Sequence, residues 1–269
     1  MIGVLLPVYK NDREDFLHTA VESIVMQSYG DYRLYIGVDG PVNDSVRDYL
    51  KMLDSQLKIK VVWFNENRGL ACVLNDLIKV AKNDGCYYYA RMDADDISVN
   101  NRFEVQKSYL DKHPEVDIVG GAIIEIDEQG RSRGKKVEYP LSHEECRKFF
   151  RYRDCVAHPA VMFRPTYFEK VLGGYRPEYR KNQDTMLWYD GFLNGCVFAN
   201  VPEVVLNFRV IADFYKRRNG WKRAKQMMRD RLMINKALKY DPSANLFALA
   251  MFIMTISPSL IKRFLYKIR

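Results

Sequence analysis

Three carboxylates crowd into four residues at Asp93-Ala94-Asp95-Asp96, directly after Met92. At that spacing the charges repel one another unless water or a cation screens them. A hard divalent ion such as Mn²⁺ or Mg²⁺ takes carboxylate oxygens and commonly bridges the phosphates of a ligand as well. The competing use is helix capping, since Asp96 or Ser98 stands just before a helical pattern at 100–112. Further polar groups punctuate the second half: His158-Pro159, Gly173-Gly174-Tyr175, Asn182-Gln183-Asp184 and Asn207-Phe208-Arg209, followed by Phe214-Tyr215-Lys216-Arg217-Arg218. A lone His packs in a core or turn as readily as it meets a ligand, and paired glycines are turn formers by default.

The elements that must position these groups alternate regularly at first. Residues 2–9 are an apolar, β-forming run, after which Phe16, Leu17, Ala20, Val21, Ile24 and Val25 recur at helical spacing. A strand at 33–39 precedes a helix carrying Val46, Tyr49, Leu50 and Leu53. A strand at 59–64 precedes a helix striped by Leu70, Val73, Leu74, Leu77, Ile78 and Ala81, and a fourth strand falls at 86–92. Three successive βα units predict an α/β fold, with right-handed crossovers and a mostly parallel sheet covered by helices on both faces. Ligands bind such sheets at the carboxyl ends of the strands. There the chain places Pro7-Val8-Tyr9, Asp39, Asn67-Arg68-Gly69 and the acidic cluster. Any one of these could be turn chemistry, but four in succession point to a shared pocket. The second half is less regular. Its pattern predicts strands at 117–126, 155–164 and 197–208, a helix opened by the capping box Ser142-His143-Glu144-Glu145, a helix at 183–193 and a long basic helix at 213–240.

A chain of 269 residues, 48% apolar, can bury the core of one large domain, and 28% charged residues argue against disorder. Five cysteines, odd in number and without a C-x-x-C pair, favour a reducing compartment over a disulfide framework or zinc ribbon. The first residues lack a basic leader and read as a strand, which predicts a cytoplasmic protein. The net charge of +8 is uneven. Residues 209–269 hold fifteen Lys and Arg against three Asp and Glu, net +12, which leaves −4 for residues 1–208. Only the C-terminal quarter therefore suits a polyanion, either anionic lipid or nucleic acid.

The first 117 residues resemble the nucleotide-sugar half of the family 2 glycosyltransferases, whose fold is called GT-A. The resemblance is carried by Pro7-Val8-Tyr9-Lys10, Val38-Asp39-Gly40, Asn67-Arg68-Gly69-Leu70 with Asn75, and Met92-Asp93-Ala94-Asp95-Asp96 followed by Arg102 and Gln106. It implies a UDP-sugar donor, with Pro7, Tyr9 and Asp39 at uracil or ribose and Arg68 near the base or diphosphate. It likewise implies Asp93 on ribose or metal and Asp95 on Mn²⁺ or Mg²⁺. The family's second acidic residue after Asp39 is replaced by Gly40-Pro41, a variant similar to bacterial enzymes that assemble surface polysaccharide, such as O-antigen, on lipid carriers. The family's Glu-Asp pair matches Gln183-Asp184, which implies Asp184 as the base of an inverting transfer. His158, Gln183 and Arg209 are candidate acceptor or diphosphate contacts. Asn207-Phe208-Arg209 and the later segment with Arg217 and Arg218 resemble the family's donor-covering loop, with a solvated basic helix face as the competing reading.

The expected organisation is a GT-A catalytic domain at 1–212, with a nucleotide-sugar half at 1–117 and an acceptor half at 118–212, plus a helical, membrane-associating appendage at 213–269. Residues 242–261 carry no charge, but Ser257-Pro258-Ser259 breaks a run that would need about 20 apolar residues to span a bilayer. An interfacial helix on the anionic inner leaflet, near a lipid-linked glycan acceptor, fits better, and an ordinary core helix is the competing reading. Two other functions compete with the transferase. A sugar-nucleotide pyrophosphorylase would want a Gly-rich loop after the first strand, and Pro7-Val8-Tyr9-Lys10-Asn11 has no glycine. A nucleic-acid-binding module would leave the acidic cluster unexplained, and no nucleic-acid partner is expected.

Overall fold

The computed structural model describes residues 1–211 and 220–257. Strands β1 (Ile2–Tyr9), β2 (Tyr32–Asp39), β3 (Ile59–Phe64) and β4 (Tyr88–Arg91) alternate with helices α1 (Glu14–Val25), α2 (Asp44–Asp54) and α3 (Leu70–Asn83). After them come β5 (Ile97–Ser98), α4 (Arg102–Lys112), β6 (Ile118–Ile126), β7 (Ser132–Val137) and α5 (His143–Phe150). A 3₁₀ turn (His158–Ala160), β8 (Met162–Phe163), α6 (Pro165–Lys170), α7 (Gln183–Leu193) and β9 (Phe198–Arg209) complete the sheet and its cover. Two further helices, α8 (Trp221–Ala237) and α9 (Ser243–Ile256), come last.

The nine strands order as β3-β2-β1-β4-β8-β6-β9-β5, with β7 on β6. β1 to β4, β6 and β9 run one way, and β5, β7 and β8 run against them. The chain winds outward from β1 to β3 and then returns to the other side of β1 as β4. That reversal is a topological switch point, where the strand ends open a crevice. Successive side chains of β1 enter opposite faces, as pleating requires. Val4, Leu6 and Val8 pack beneath α1, α2 and α4, while Leu5 packs with α3, α5, α6 and α7 on the other face. Only Pro7 and Tyr9 of β1 are incompletely buried, at the end facing the crevice.

The early elements fall where the apolar periodicity places them, and the Ser142–Glu145 capping box forms reciprocally. The strand expected at 155–164 shrinks to Met162–Phe163. Pro159 lies in the 3₁₀ turn before it, and Cys155 and Val156 are buried without pairing into the sheet. The basic helix is described only from Trp221, and the start expected for it lies outside the described residues. Its Ile234, with Leu238 beyond it, joins the same core as α3 and α7, so α8 is packed into the body of the molecule. Among the described residues no helix is long and apolar enough to cross a membrane.

Candidate active site

β4 carries the chain out beside β1, where Arg91 pairs in register with Leu5 and the Met92 N–H donates to the Leu5 carbonyl at 3.0 Å. The acidic turn comes next. One carboxylate oxygen each from Asp93, Asp95 and Asp96 lies within 4.8 Å of the others. Asp96 is fully buried and caps no helix. Its Oδ1 accepts the Arg209 N–H at 2.8 Å and its Oδ2 has no partner among the described residues. Helix α4 instead begins after Asn101, with no side-chain cap. Burial, then the neighbouring Asp93 charge, pushes the Asp95 carboxyl up to about 6. Burial, then Asp95 and Asp93, pushes Asp96 well up. The turn thus concentrates negative charge that the protein itself leaves partly uncompensated.

Its supports are cationic and buried. Arg91 Nη2 contacts Asp93 at 2.5 Å, while Arg91 Nε and Nη1 have no hydrogen-bond partner among the described residues. Arg102 donates to the Arg91 and Val161 carbonyls at 2.8 and 3.1 Å and to Gln106, whose amide reaches the Ala160 carbonyl at 2.7 Å. Both motif residues are therefore buried braces between β4 and the 158–163 segment. Arg209 corrects an expectation. It lies within β9 rather than a covering loop, and it is buried, with Nε on the Asp95 carbonyl (2.7 Å) and Nη1 on the Asp127 and Glu128 carbonyls (3.1 and 2.8 Å). It is a pillar under the acidic turn, with Nε and Nη1 donating to backbone carbonyls. Arg217 and Arg218 lie outside the described residues.

Across the crevice, Asp39 at the end of β2 orders the loop after β3. Its Oδ1 accepts the Arg68 N–H at 2.7 Å, and its Oδ2 accepts the Gly69 N–H and the Asn67 amide, both at 2.9 Å. Gly40 is needed beside it, with φ +83° and a Cβ position 2.7 Å from the Asn67 nitrogen. Tyr9 and Asp39 are register partners, so the first two strands end side by side. Arg68 turns away toward Asp76 (2.5 Å) and lies over the Phe64 ring. Arg180, which the sequence did not single out, reaches Asn67 Oδ1 at 3.2 Å instead.

The second-half motifs converge on Tyr175. Asn75 of α3 clamps its backbone, accepting the N–H at 2.8 Å and donating to the carbonyl at 2.7 Å. The Tyr175 hydroxyl and His158 Nε2 lie 2.8 Å apart. Burial, then the Arg91 charge, holds the His158 imidazole well below its ordinary range, so it is neutral. Arg91, Asp184 and Asp93 all act electrostatically on the Tyr175 hydroxyl, whose ionisation burial pushes far up. The acidic turn and the α7 N-terminus therefore flank one aromatic group. Asp184 sits half-buried in the first turn of α7. Its Oδ1 accepts the Thr185 N–H at 2.9 Å, and Oδ2 has no protein donor among the described residues. Gln183 opens the helix beside it.

The chain is 32% identical over 223 residues to the amylovoran biosynthesis glycosyltransferase AmsE of Erwinia amylovora, covering 82% of this chain and 80% of that one. It is 30% identical to a UDP-Gal:alpha-D-GlcNAc-diphosphoundecaprenol beta-1,3-galactosyltransferase of Escherichia coli, covering 82% and 78%. Among solved structures, S. aureus TarS 1-349 in complex with UDP superposes with a TM-score of 0.64 at 15% identity, covering 95% of this chain and 80% of that one, which shows a shared fold. Residues 3–172 match the family model described as glycosyl transferase family 2. With the Asp-rich turn at the switch point of a mostly parallel sheet, and relatives that build bacterial polysaccharide, the chain belongs to glycosyl transferase family 2.

Proposed function

We propose that this protein moves a sugar from a UDP-sugar, with inversion and one sugar at a time, onto a hydroxyl of a lipid-linked glycan at the cytoplasmic face of a membrane. The observation that carries the reading is the three-carboxylate turn at the end of β4, and the Asp39-ordered loop at the end of β2 and Asp184 at the α7 N-terminus support it. The relatives named for a UDP-Gal transfer to a diphosphoundecaprenol-linked sugar and for amylovoran biosynthesis support the donor and acceptor classes. The UDP and UDP-GlcNAc complexes of TarS support the nucleotide.

The donor set suits a hard divalent cation. Three clustered carboxylates, one with an unpartnered buried oxygen and one held protonated up to about 6, are relieved by a dication. Asp95 and Asp93 would hold Mn²⁺ or Mg²⁺, which supplies charge neutralisation for the departing diphosphate. Pro7 and Tyr9 offer an apolar and aromatic edge to the base, and Asp39 Oδ1, having accepted one donor, retains an acceptor for uracil or ribose. Asp184 takes the proton of the attacking hydroxyl at its free oxygen, across Tyr175 from the acidic turn. Neutral His158 fixes the Tyr175 hydroxyl without adding charge.

The membrane part of the reading rests on the α8–α9 hairpin. Leu246, Leu249, Ile253 and Ile256 stand exposed along α9, with Leu246 at 71%. Lys225 and Arg229 of the neighbouring α8 are exposed as well. An apolar stripe with basic flanks suits an anionic bilayer surface. A panel of UDP-sugars offered with a lipid-linked acceptor in anionic vesicles, read by released UDP and product anomeric configuration, tests the whole proposal. UDP release that needs acceptor and divalent metal supports it. Retained configuration, or no release from any UDP-sugar, defeats it.

A further inference from the structure

Asp230 is 3% exposed on α8, a helix outside the stretch that matches the family model. A buried carboxylate must be paired or hydrogen-bonded to be tolerated, and its three donors lie in a telling place. Oδ2 accepts the Asn182 amide at 2.9 Å, and Oδ1 accepts the Gln226 amide at 2.7 Å and the Tyr179 hydroxyl at 3.4 Å. Asn182 is one of two non-glycine residues among those described with positive φ, at +67°. It is the N-cap of α7, but its side chain makes no cap bond to the helix. The Asn182 side-chain amide donates to Asp230, so the left-handed turn that carries Gln183 and Asp184 is tied to α8. A second tie runs alongside: Thr185 Oγ1 donates to Asp154 at 2.9 Å, and Arg231 of α8 approaches Asp154 at 3.8 Å.

We propose that Asp230 is a positioning residue for transfer, holding the Asn182 turn so that the Asp184 carboxylate meets the acceptor hydroxyl. This rests on Asp184 acting as the base. It assigns the C-terminal helix pair a part in turnover as well as in docking. An ångström of misplacement at a base lowers turnover steeply while leaving donor contacts alone.

Asp230→Asn removes the charge and leaves one acceptor oxygen for the three donors, so the tie to Asn182 is weakened. The expected result is a kcat lower by roughly ten- to a hundredfold with donor KM within about twofold. The exchange Asp230→Asn with Asn182→Asp restores a donor–acceptor pair, and Asp tolerates the left-handed conformation; most of the lost kcat should return. If Asp230→Asn fails to fold, Asn182→Gly cuts the same bond while keeping the backbone conformation, and should show the same kcat-selective loss. Wild-type kcat in the single variants, or a loss split equally between kcat and KM that the exchange does not repair, overturns the proposal. Asp184→Asn is measured in parallel. Full turnover there defeats the base assignment and this proposal with it, whereas a collapse in Asp184→Asn beside wild-type kcat in the Asp230 and Asn182 variants defeats the Asp230 role alone.

Discussion

At Asp95 a single side chain carries two opposed demands. Its carboxyl is held up to about 6 against an ordinary 3.8 by burial and by Asp93. A folded group that binds its proton more tightly than the unfolded chain lends stability at low pH and loses it as pH rises through that interval. The metal-free protein should therefore lose stability between about pH 4 and pH 6, as ionised Asp95 meets Asp93 without relief. Mn²⁺ needs the ionised form, so its affinity should weaken as pH falls below about 6. Thermal melts with and without Mn²⁺ check this, with a larger metal-induced rise in Tm expected at pH 7.5 than at pH 5. In Asp95→Ala the metal-induced rise and nearly all transfer should vanish while the fold persists. A metal response in Asp95→Ala equal to wild type would remove Asp95 from the site. Asp184→Asn should keep UDP affinity yet lower kcat by about 10²-fold or more, with Gln183→Ala milder; unchanged kcat would move the base elsewhere. Residue types at strand ends made the acidic turn, Asp39 and Asn67 visible in the sequence. Arg209 was visible as a cation but not as a pillar, because only its burial and its bonds to the Asp95, Asp127 and Glu128 carbonyls show that it points inward. Arg180 gave no signal, since its partner Asn67 is 113 residues away.

Elements rather than residues explain why the Gly173-Gly174-Tyr175 stretch is where it is. Helix α3 supplies Asn75, which occupies both backbone groups of Tyr175. Gly174 has φ +66°, and a Cβ there would lie 2.5 Å from Asn75 Oδ1. Gly174→Ala should therefore cost about 1–3 kcal/mol, seen as a lower Tm, and should impair turnover through Tyr175; an unchanged Tm would show that the clamp yields freely. The βα half was legible because each helix buries a single apolar stripe and each strand ends at a polar turn. The region around His158 was not. Its apolar residues are buried as irregular chain against Arg102 and Gln106, and burial without sheet pairing carries the same sequence signature as a strand. β7 was missed for the opposite reason: Ser132–Val137 is largely exposed and charged, so no periodic burial marks it.

Across the molecule, exposed basic residues of α8 lie next to the exposed Leu246, Leu249, Ile253 and Ile256 of α9, while the turn at Asp93–Asp96 is acidic. Helix α9 rests on α8 with Ala244 and Ala248 buried, the Trp221–Phe252 ring contact and the Asn235–Asn245 bond at 3.0 Å, leaving those four α9 residues outward. A chain ending at Tyr240 keeps α8 and Asp230 and removes Asp241 with its Arg151 ion pair, Pro242, α9 and the residues C-terminal to it. It should stay folded, detach from anionic vesicles and lose more activity on lipid-linked acceptor than in donor hydrolysis. Vesicle binding by the full chain should weaken with salt without vanishing, since each basic residue near the surface contributes about 1 kcal/mol and the apolar part is insensitive to salt. Misfolding of the shortened chain would make α9 a core helix instead. The Arg209 pillar has a consequence in time. It lies 114 residues beyond the Asp95 carbonyl it supports. At about 5–20 residues per second, a ribosome spends on the order of ten seconds between the two. Throughout that interval the emerging chain has its βα half and its three carboxylates but no floor beneath them. A nascent chain stalled before β9 carries the acidic turn and the Asp39-ordered loop but lacks the Arg209 support, so the proposed metal site is braced only once β9 pairs with β6.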